Sequence, residues 1–133
     1  PGIVIAIMFK NLKKDMKIQL YEKSYNKSMF LKQVSKKLNL NTEVIQKDIS
    51  EVKNIISGTI MSRAFKPLPD ILDLVNKNFK DYKNIILFMG KTGKSVLNET
   101  LKKWNMEYSE KQSLTNPDSF LLNIKKMEKK ILN

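Results

Sequence analysis

The chain has no cysteine and no histidine among its 133 residues. Disulfides, thiolate nucleophiles, imidazole bases and any zinc site built from those ligands are therefore excluded. A reaction run by such a chain needs little acid or base help, or draws it from carboxylates, lysines or tyrosines. Arginine is scarce too: Arg63 stands alone against a background of lysine. Lysine serves where general positive charge is enough, whereas a lone arginine offers a planar, bidentate donor fork. The plainer alternative is a surface cation. Nowhere does an apolar run approach the roughly 20 residues that span a bilayer. The opening Pro1-Gly2-Ile3-Val4-Ile5-Ala6-Ile7-Met8-Phe9 is too short and lacks basic residues upstream. No membrane partner is expected, and a cytoplasmic protein is.

What is abundant is positive charge. A formal net charge of +12 and a pI near 9.8 point to a polyanionic partner such as nucleic acid. The length fits one domain with a core of its own. The chain begins without methionine, inside what reads as an element, so a piece of a longer protein is expected.

Hydrophobic periodicity orders the elements. Pro1-Gly2 opens a first helix; Lys17 to Glu22 alternates as a strand; Ser28 to Leu38 carries Met29, Phe30, Val34 and Leu38 at helical spacing. Val44-Ile45 makes a short strand ending near Asp48, and Thr59-Ile60-Met61 another that runs into Arg63. Pro67 to Phe79 reads as a helix, Asn84 to Met89 as a strand buried on both faces, and Lys94 to Trp104 as a helix. Met106 to Ser113 and Phe120 to Lys125 read as a hairpin around Asn116-Pro117-Asp118, followed by a solvated basic end from Lys125 to Lys130. Met29, Phe30, Phe79 and Trp104 are expected in the core or partly buried. The alternation of strand and helix predicts an α/β fold with a mostly parallel sheet and an antiparallel hairpin at one edge.

Ligands of open parallel sheets bind beyond the carboxyl ends of the strands. Glu22 lies there, 20 residues after Gly2, at the spacing where a nucleotide-binding fold sets a carboxylate on ribose hydroxyls. Asp48, Ile49 and Ser50 follow the next strand, suited to an adenine edge and face, although Asp48 or Ser50 would equally cap a turn. Arg63 follows the third strand. Gly2 opens a helix whose free amides favour a carboxylate or phosphate. Lys91-Thr92-Gly93-Lys94 lacks the glycine spacing of a Walker loop.

Together, Pro1-Gly2-Ile3-Val4-Ile5-Ala6-Ile7, Glu22 with Lys27 and Phe30-Leu31-Lys32-Gln33-Val34, Ser62-Arg63-Ala64-Phe65 with Leu68, and Phe88-Met89-Gly90 resemble the bacterial RsmG family, also called GidB. The resemblance runs from Pro1 to about Met127, and Ser62-Arg63-Ala64-Phe65 is its most specific element. It implies a class I (Rossmann-like) S-adenosylmethionine-dependent methyltransferase that modifies N7 of a guanine in 16S ribosomal RNA. The partner is then that RNA or the small ribosomal subunit, with no metal and a monomeric enzyme. Glu22 would hold the cofactor ribose, Ile49 and Ser50 would flank the adenine, and Arg63 would line the cofactor and substrate pocket. Where the family has an Arg-Ala-Glu or Arg-Val-Glu run, this chain has Asp48-Ile49-Ser50, so either Asp48 or Glu51 takes over the acidic contact or the contact is lost. The family's lysine before the glycine is Met89 here, with Lys91 in position to compensate on the substrate.

In this family a first central strand and a Gly-rich loop precede the Pro-Gly pair. The resemblance thus implies that residues 1–133 are the C-terminal part of one methyltransferase domain, without its main cofactor loop and inactive alone. A gap or an abnormal pairing is expected between the strands at Lys17 to Glu22 and Thr59 to Ser62. Three other readings remain open: a basic RNA-binding module without catalysis, a nicotinamide-dependent oxidoreductase whose ribose Glu22 would suit equally, and a small-molecule methyltransferase.

Overall fold

Residues 2–63 and 65–131 are described by a computed structural model, and they fall into two units, one running to Val52 and the other starting at Lys53. The first unit comprises helix α1 (Gly2–Asn11), strand β1 (Ile18–Tyr21), helix α2 (Tyr25–Lys37), strand β2 (Thr42–Ile45) and a short 3-10 turn (Ile49–Glu51). β1 and β2 are parallel, in register from Ile18 opposite Thr42 to Tyr21 opposite Ile45. A parallel pair cannot be joined by a hairpin, and α2 is the crossover that it requires. Ser24 starts α2 as its N-cap, its side chain accepting the Lys27 amide at 3.3 Å.

The face that α2 buries is not the one expected. Ser28 and Ser35 are its buried residues, while Phe30, expected to pack inside, is 62% exposed. Small side chains let a helix approach a sheet closely, and the Ser28 hydroxyl is satisfied within the helix by donating to the Tyr25 carbonyl at 2.9 Å. The Ser35 hydroxyl is buried and has no hydrogen-bond partner among the described residues. Ser35→Ala removes that unsatisfied group and is expected to stabilise the unit by about 1 kcal/mol, measurable by urea unfolding.

The second unit contains β3 (Ile55–Ile56), β4 (Thr59–Arg63), α3 (Leu68–Asn78), β5 (Phe79–Asp81), β6 (Asn84–Met89), α4 (Gly93–Leu101), β7 (Trp104–Gln112) and β8 (Phe120–Lys129). Its main sheet has the order β4-β6-β8-β7, and β3 pairs separately with β5. β4 runs parallel to β6, whereas β8 is antiparallel to both β6 and β7. With β1-β2 and β3-β5 also parallel, parallel pairings outnumber antiparallel ones, and the antiparallel hairpin lies at one edge. β1 pairs with β2 alone among the described residues, and β4 with β6 alone.

The core of this unit forms where α3 and α4 cover the sheet. Leu68, Ile71, Leu72 and Val75 line the buried stripe of α3, and Ile85, Leu87, Leu122 and Ile124 supply the sheet side. β6 is buried on one face only: Ile85, Leu87 and Met89 are inside, and Ile86 and Phe88 are half-buried. Trp104 does not end the preceding helix. It opens β7, 1% exposed, because the chain leaves α4 at Lys102 and strand pairing carries the indole into the core. The lysine-rich stretch after Lys125 is not a free end either: β8 continues to Lys129, which pairs with Trp104 in the hairpin register. β3 and β5 are too short to show any alternation.

Candidate functional site

Because β1 and β2 are parallel, both deliver the chain to one edge of the first unit. The Glu22 amide donates to the Ile45 carbonyl at 3.1 Å, which holds Glu22 beside the end of β2. Its Oε1 accepts the Ser24 amide at 3.0 Å, and Oε2 has no hydrogen-bond partner among the described residues. Half of the carboxylate is thus anchored, and half is left to accept hydroxyl donors.

Asp48 caps the 3-10 turn. Its Oδ1 accepts the Ser50 amide at 3.0 Å and the Ser50 hydroxyl at 2.7 Å, with Ile49 and Ser50 half-buried beside it. Gly2 starts α1 against the end of β1. A Cβ at Gly2 would stand 2.4 Å from Leu20 Cδ2, so glycine permits the close seating of helix on strand. The amides of the first turn of α1 lack intrahelical partners and carry the positive end of its dipole. Gly2, Glu22, Asp48, Ile49 and Ser50 therefore share one edge.

Arg63 and Lys91 belong to the second unit, where β4 and β6 form an equivalent edge. Arg63 is the last residue of β4, opposite Phe88, and is exposed; Gly90 and Lys91 follow β6. The Phe65 amide donates to the Arg63 carbonyl at 2.8 Å. Ala64 of the Ser62-Arg63-Ala64-Phe65 run lies outside the described residues. Next to this edge is a cleft of about 350 Å³, with Phe65, Lys66 and Leu68 on one wall and Met89, Thr92 and Gly93 on the other. Neither Arg63 nor Lys91 lines it. Sequence reasoning gave Phe65, Lys66 and Thr92 no site role, although an aromatic directly after a strand's carboxyl end was the available signal. Phe65 is 55% exposed with the Lys66 ammonium 5.8 Å from its ring centre, which presents a cation and a π-face together.

The protonation shifts run away from neutrality. Burial raises the Tyr21 phenol, and the charge of Glu43 adds to that; burial likewise raises Tyr82. Hydrogen bonds from Lys17 and Gln19 hold Glu43 below the usual carboxylate range. None of these three is tuned to serve as a base near neutral pH. Among the described residues there is no acidic cluster that could hold a metal ion, and no helix is long and apolar enough to cross a membrane.

The model of the GidB family, rRNA small subunit methyltransferase G, matches residues 1–121. The Ribosomal RNA small subunit methyltransferase G of Pelagibacter ubique (strain HTCC1062) is 61% identical over 130 residues, covering 98% of this chain and 61% of the relative. The protein of that name from Paracoccus denitrificans (strain Pd 1222) is 26% identical, covering 93% of this chain and 63% of the relative. The chain thus spans about three fifths of the length of these relatives. Among solved structures, M. capricolum TrmK in complex with S-adenosyl-homocysteine aligns with a TM-score of 0.57 at 15% identity, over 93% of this chain and 58% of that one. The 23S rRNA methyltransferase ErmE aligns with a TM-score of 0.57 at 13% identity, over 85% and 53%. At such identities the likeness bears on the fold, which is that of class I S-adenosylmethionine-dependent methyltransferases.

Proposed function

The chain belongs to the GidB family, rRNA small subunit methyltransferase G, and from that premise we propose that it is part of an enzyme methylating N7 of a guanine in 16S ribosomal RNA. The observation that carries this reading is the family match over residues 1–121. In this reading residues 1–133 are the C-terminal part of one methyltransferase domain, which works as a cytoplasmic monomer on 16S RNA or the small subunit and needs no metal. The match disfavours a nicotinamide-dependent oxidoreductase and a purely structural RNA module.

The residues of the first unit suit S-adenosylmethionine, which when bound supplies an electrophilic methyl group. Glu22 has a carboxylate oxygen left for ribose hydroxyls. Ile49 offers an apolar face and Ser50 a polar edge to adenine, with Asp48 or Glu51 as the acidic contact. Gly2 seats the start of α1 so that its amides can meet a carboxylate. From the second unit, Arg63 offers its fork to guanine O6 or to a phosphate, and Lys91 a point charge to the RNA backbone. Phe65 supplies a stacking face for an unstacked base.

Guanine N7 already carries a lone pair and loses no proton when methylated. The protein has only to hold that nitrogen in line and exclude water, and such positioning contributes on the order of 7–11 kcal/mol without a general base. A chain without histidine is suited to that reaction.

The test is transfer of labelled methyl from S-adenosylmethionine to 16S RNA and to small subunits, by a protein of the relatives' full length carrying these residues. Label is expected at guanine N7. Arg63→Ala is expected to lower kcat/KM for RNA by about 10–100-fold, the loss of a charge-assisted contact of roughly 1.5–3 kcal/mol. Glu22→Ala is expected to weaken S-adenosylhomocysteine about 10-fold by calorimetry. An unmodified RNA, with no heat of cofactor binding, would return the chain to the class of non-catalytic RNA binders.

A further inference from the structure

The positive charge of the first unit is concentrated away from Glu22. At the carboxyl edge of β1 and β2, Glu22, Asp48 and Glu51 offset Lys23, Lys27 and Lys47. At the amino edge, Lys10, Lys13 and Lys14 close α1 and Lys36 and Lys37 close α2, with Asp15 as the acid among them. Lys17 and Glu43 neutralise each other there at 2.8 Å. The two edges are separated by the length of a four-residue strand, roughly 13 Å.

Both helices end at this amino edge in the same geometry. The Lys13 amide donates to the Lys10 carbonyl at 3.0 Å and the Lys14 amide to Phe9 at 2.9 Å; Asn39 donates to Lys36 at 3.2 Å and Leu40 to Ser35 at 2.9 Å. Each is a Schellman closure, whose first residue past the helix adopts a left-handed backbone. Asn39 at φ 49° is an ordinary occupant, but Lys13 at φ 56° is not. Glycine or asparagine would hold that conformation at lower cost. A lysine kept there points to a use for its ammonium.

Lys13 lines a cleft of about 240 Å³ whose polar side comprises Lys10, Lys13, Lys14, Asp15, Asn39 and Asn41. Lys10 is occupied, donating to the Leu38 carbonyl, and Asn41 donates to Asp15 at 3.3 Å. Lys13 and Lys14 form no ion pair among the described residues. We infer that this cleft is a second RNA site, in which Lys13 and Lys14 take backbone phosphates of a segment flanking the methylated nucleotide. Ala6, Phe9 and Met16 form the apolar floor of the cleft; point-charge lysines along its polar side suit phosphates, which position a nucleic acid without reading its sequence. The inference rests on RNA being the substrate.

The experiment measures the affinity of a fluorescently labelled 16S RNA hairpin for the full-length protein across a salt series. The variants are Lys13→Gly, Lys13→Gly with Lys14→Gln, and a control of equal charge change, Lys77→Gln with Lys80→Gln, both exposed in the other unit. The cleft double variant is expected to bind RNA about 5–10-fold more weakly near 100 mM salt, with a log-log salt slope shallower by roughly 1.4–1.8, as two lost phosphate contacts require. S-adenosylhomocysteine affinity should not change. Lys13→Gly alone should weaken RNA binding while leaving Tm unchanged or higher, a combination that a purely structural lysine would not produce. Unchanged RNA affinity and slope, or an equal loss in the control, overturns the inference. Methyl transfer is scored separately: a changed slope without any transfer keeps the RNA site and removes the enzyme.

Discussion

Trp104→Ala is expected to destabilise the second unit by about 3–5 kcal/mol, the range for deleting a large aromatic from a packed core. The indole is 1% exposed and sits among the residues that join α4 to the sheet. It also anchors the open end of the hairpin, where Trp104 faces Lys129 and the Lys129 ammonium lies 5.8 Å from the ring. That cation contact is exposed and accounts for no more than about 1 kcal/mol, so most of the loss is cavity and transfer energy. Because Trp104 is the sole tryptophan, unfolding has to be followed by circular dichroism. A loss below about 1 kcal/mol would show that the site collapses around the deletion.

Gly93→Ala is expected to destabilise although it replaces a glycine in a helix. Gly93 is the first residue of α4, and alanine is favoured over glycine there by no more than the about 1 kcal/mol of a helix interior. Against that, a Cβ at Gly93 would stand 2.8 Å from both Met89 Cβ and Phe120 Cε1. Met89 Cβ is fixed by its own backbone, so relief requires α4 to move off the sheet, an overpacking cost of about 1–3 kcal/mol. The net expectation is a loss of up to about 2 kcal/mol by urea unfolding. Gly93 and Met89 also line the cleft beside Phe65, so under the proposed function weaker RNA affinity should accompany the lost stability. Gly90→Ala is the matched control: nothing lies within 4 Å of its Cβ position, and no such loss is expected.

How far the sequence could be read depended on which force set each element. The long stripe of Leu68, Ile71, Leu72 and Val75 and the apolar run from Asn84 to Met89 are periodic enough to declare themselves, and the structure has both. The places of Glu22 and Arg63 at strand ends were legible, the first from an alternating run and the second from a short apolar run after Ser57-Gly58. The buried face of α2 was not legible, since Ser28 and Ser35 are inside for their small size rather than their hydrophobicity. Trp104 fits the end of a helical pattern as well as the start of a strand, and only its pairing with Lys129 decides. Phe65 and Lys66 line a cleft made by residues from β6 and α4, a juxtaposition that no local pattern records. The basic cleft was hidden for a similar reason: its lysines come from the ends of α1, and its asparagines from beyond α2.

The strand order β4-β6-β8-β7 also governs how the second unit comes into being. β8 follows β7 in the chain, yet it lies between β6 and β7 and supplies Phe120, Leu122 and Ile124 to the core. During translation, Asn84–Met89 emerges with one edge covered by β4 and the other open. That edge waits for a partner about 30 residues further along, roughly 2–6 s at ordinary elongation rates. A ribosome stalled before Phe120 therefore holds an apolar strand with an exposed hydrogen-bonding edge, the template on which aggregation starts. The sheet closes over β6 only when β8 has been synthesised.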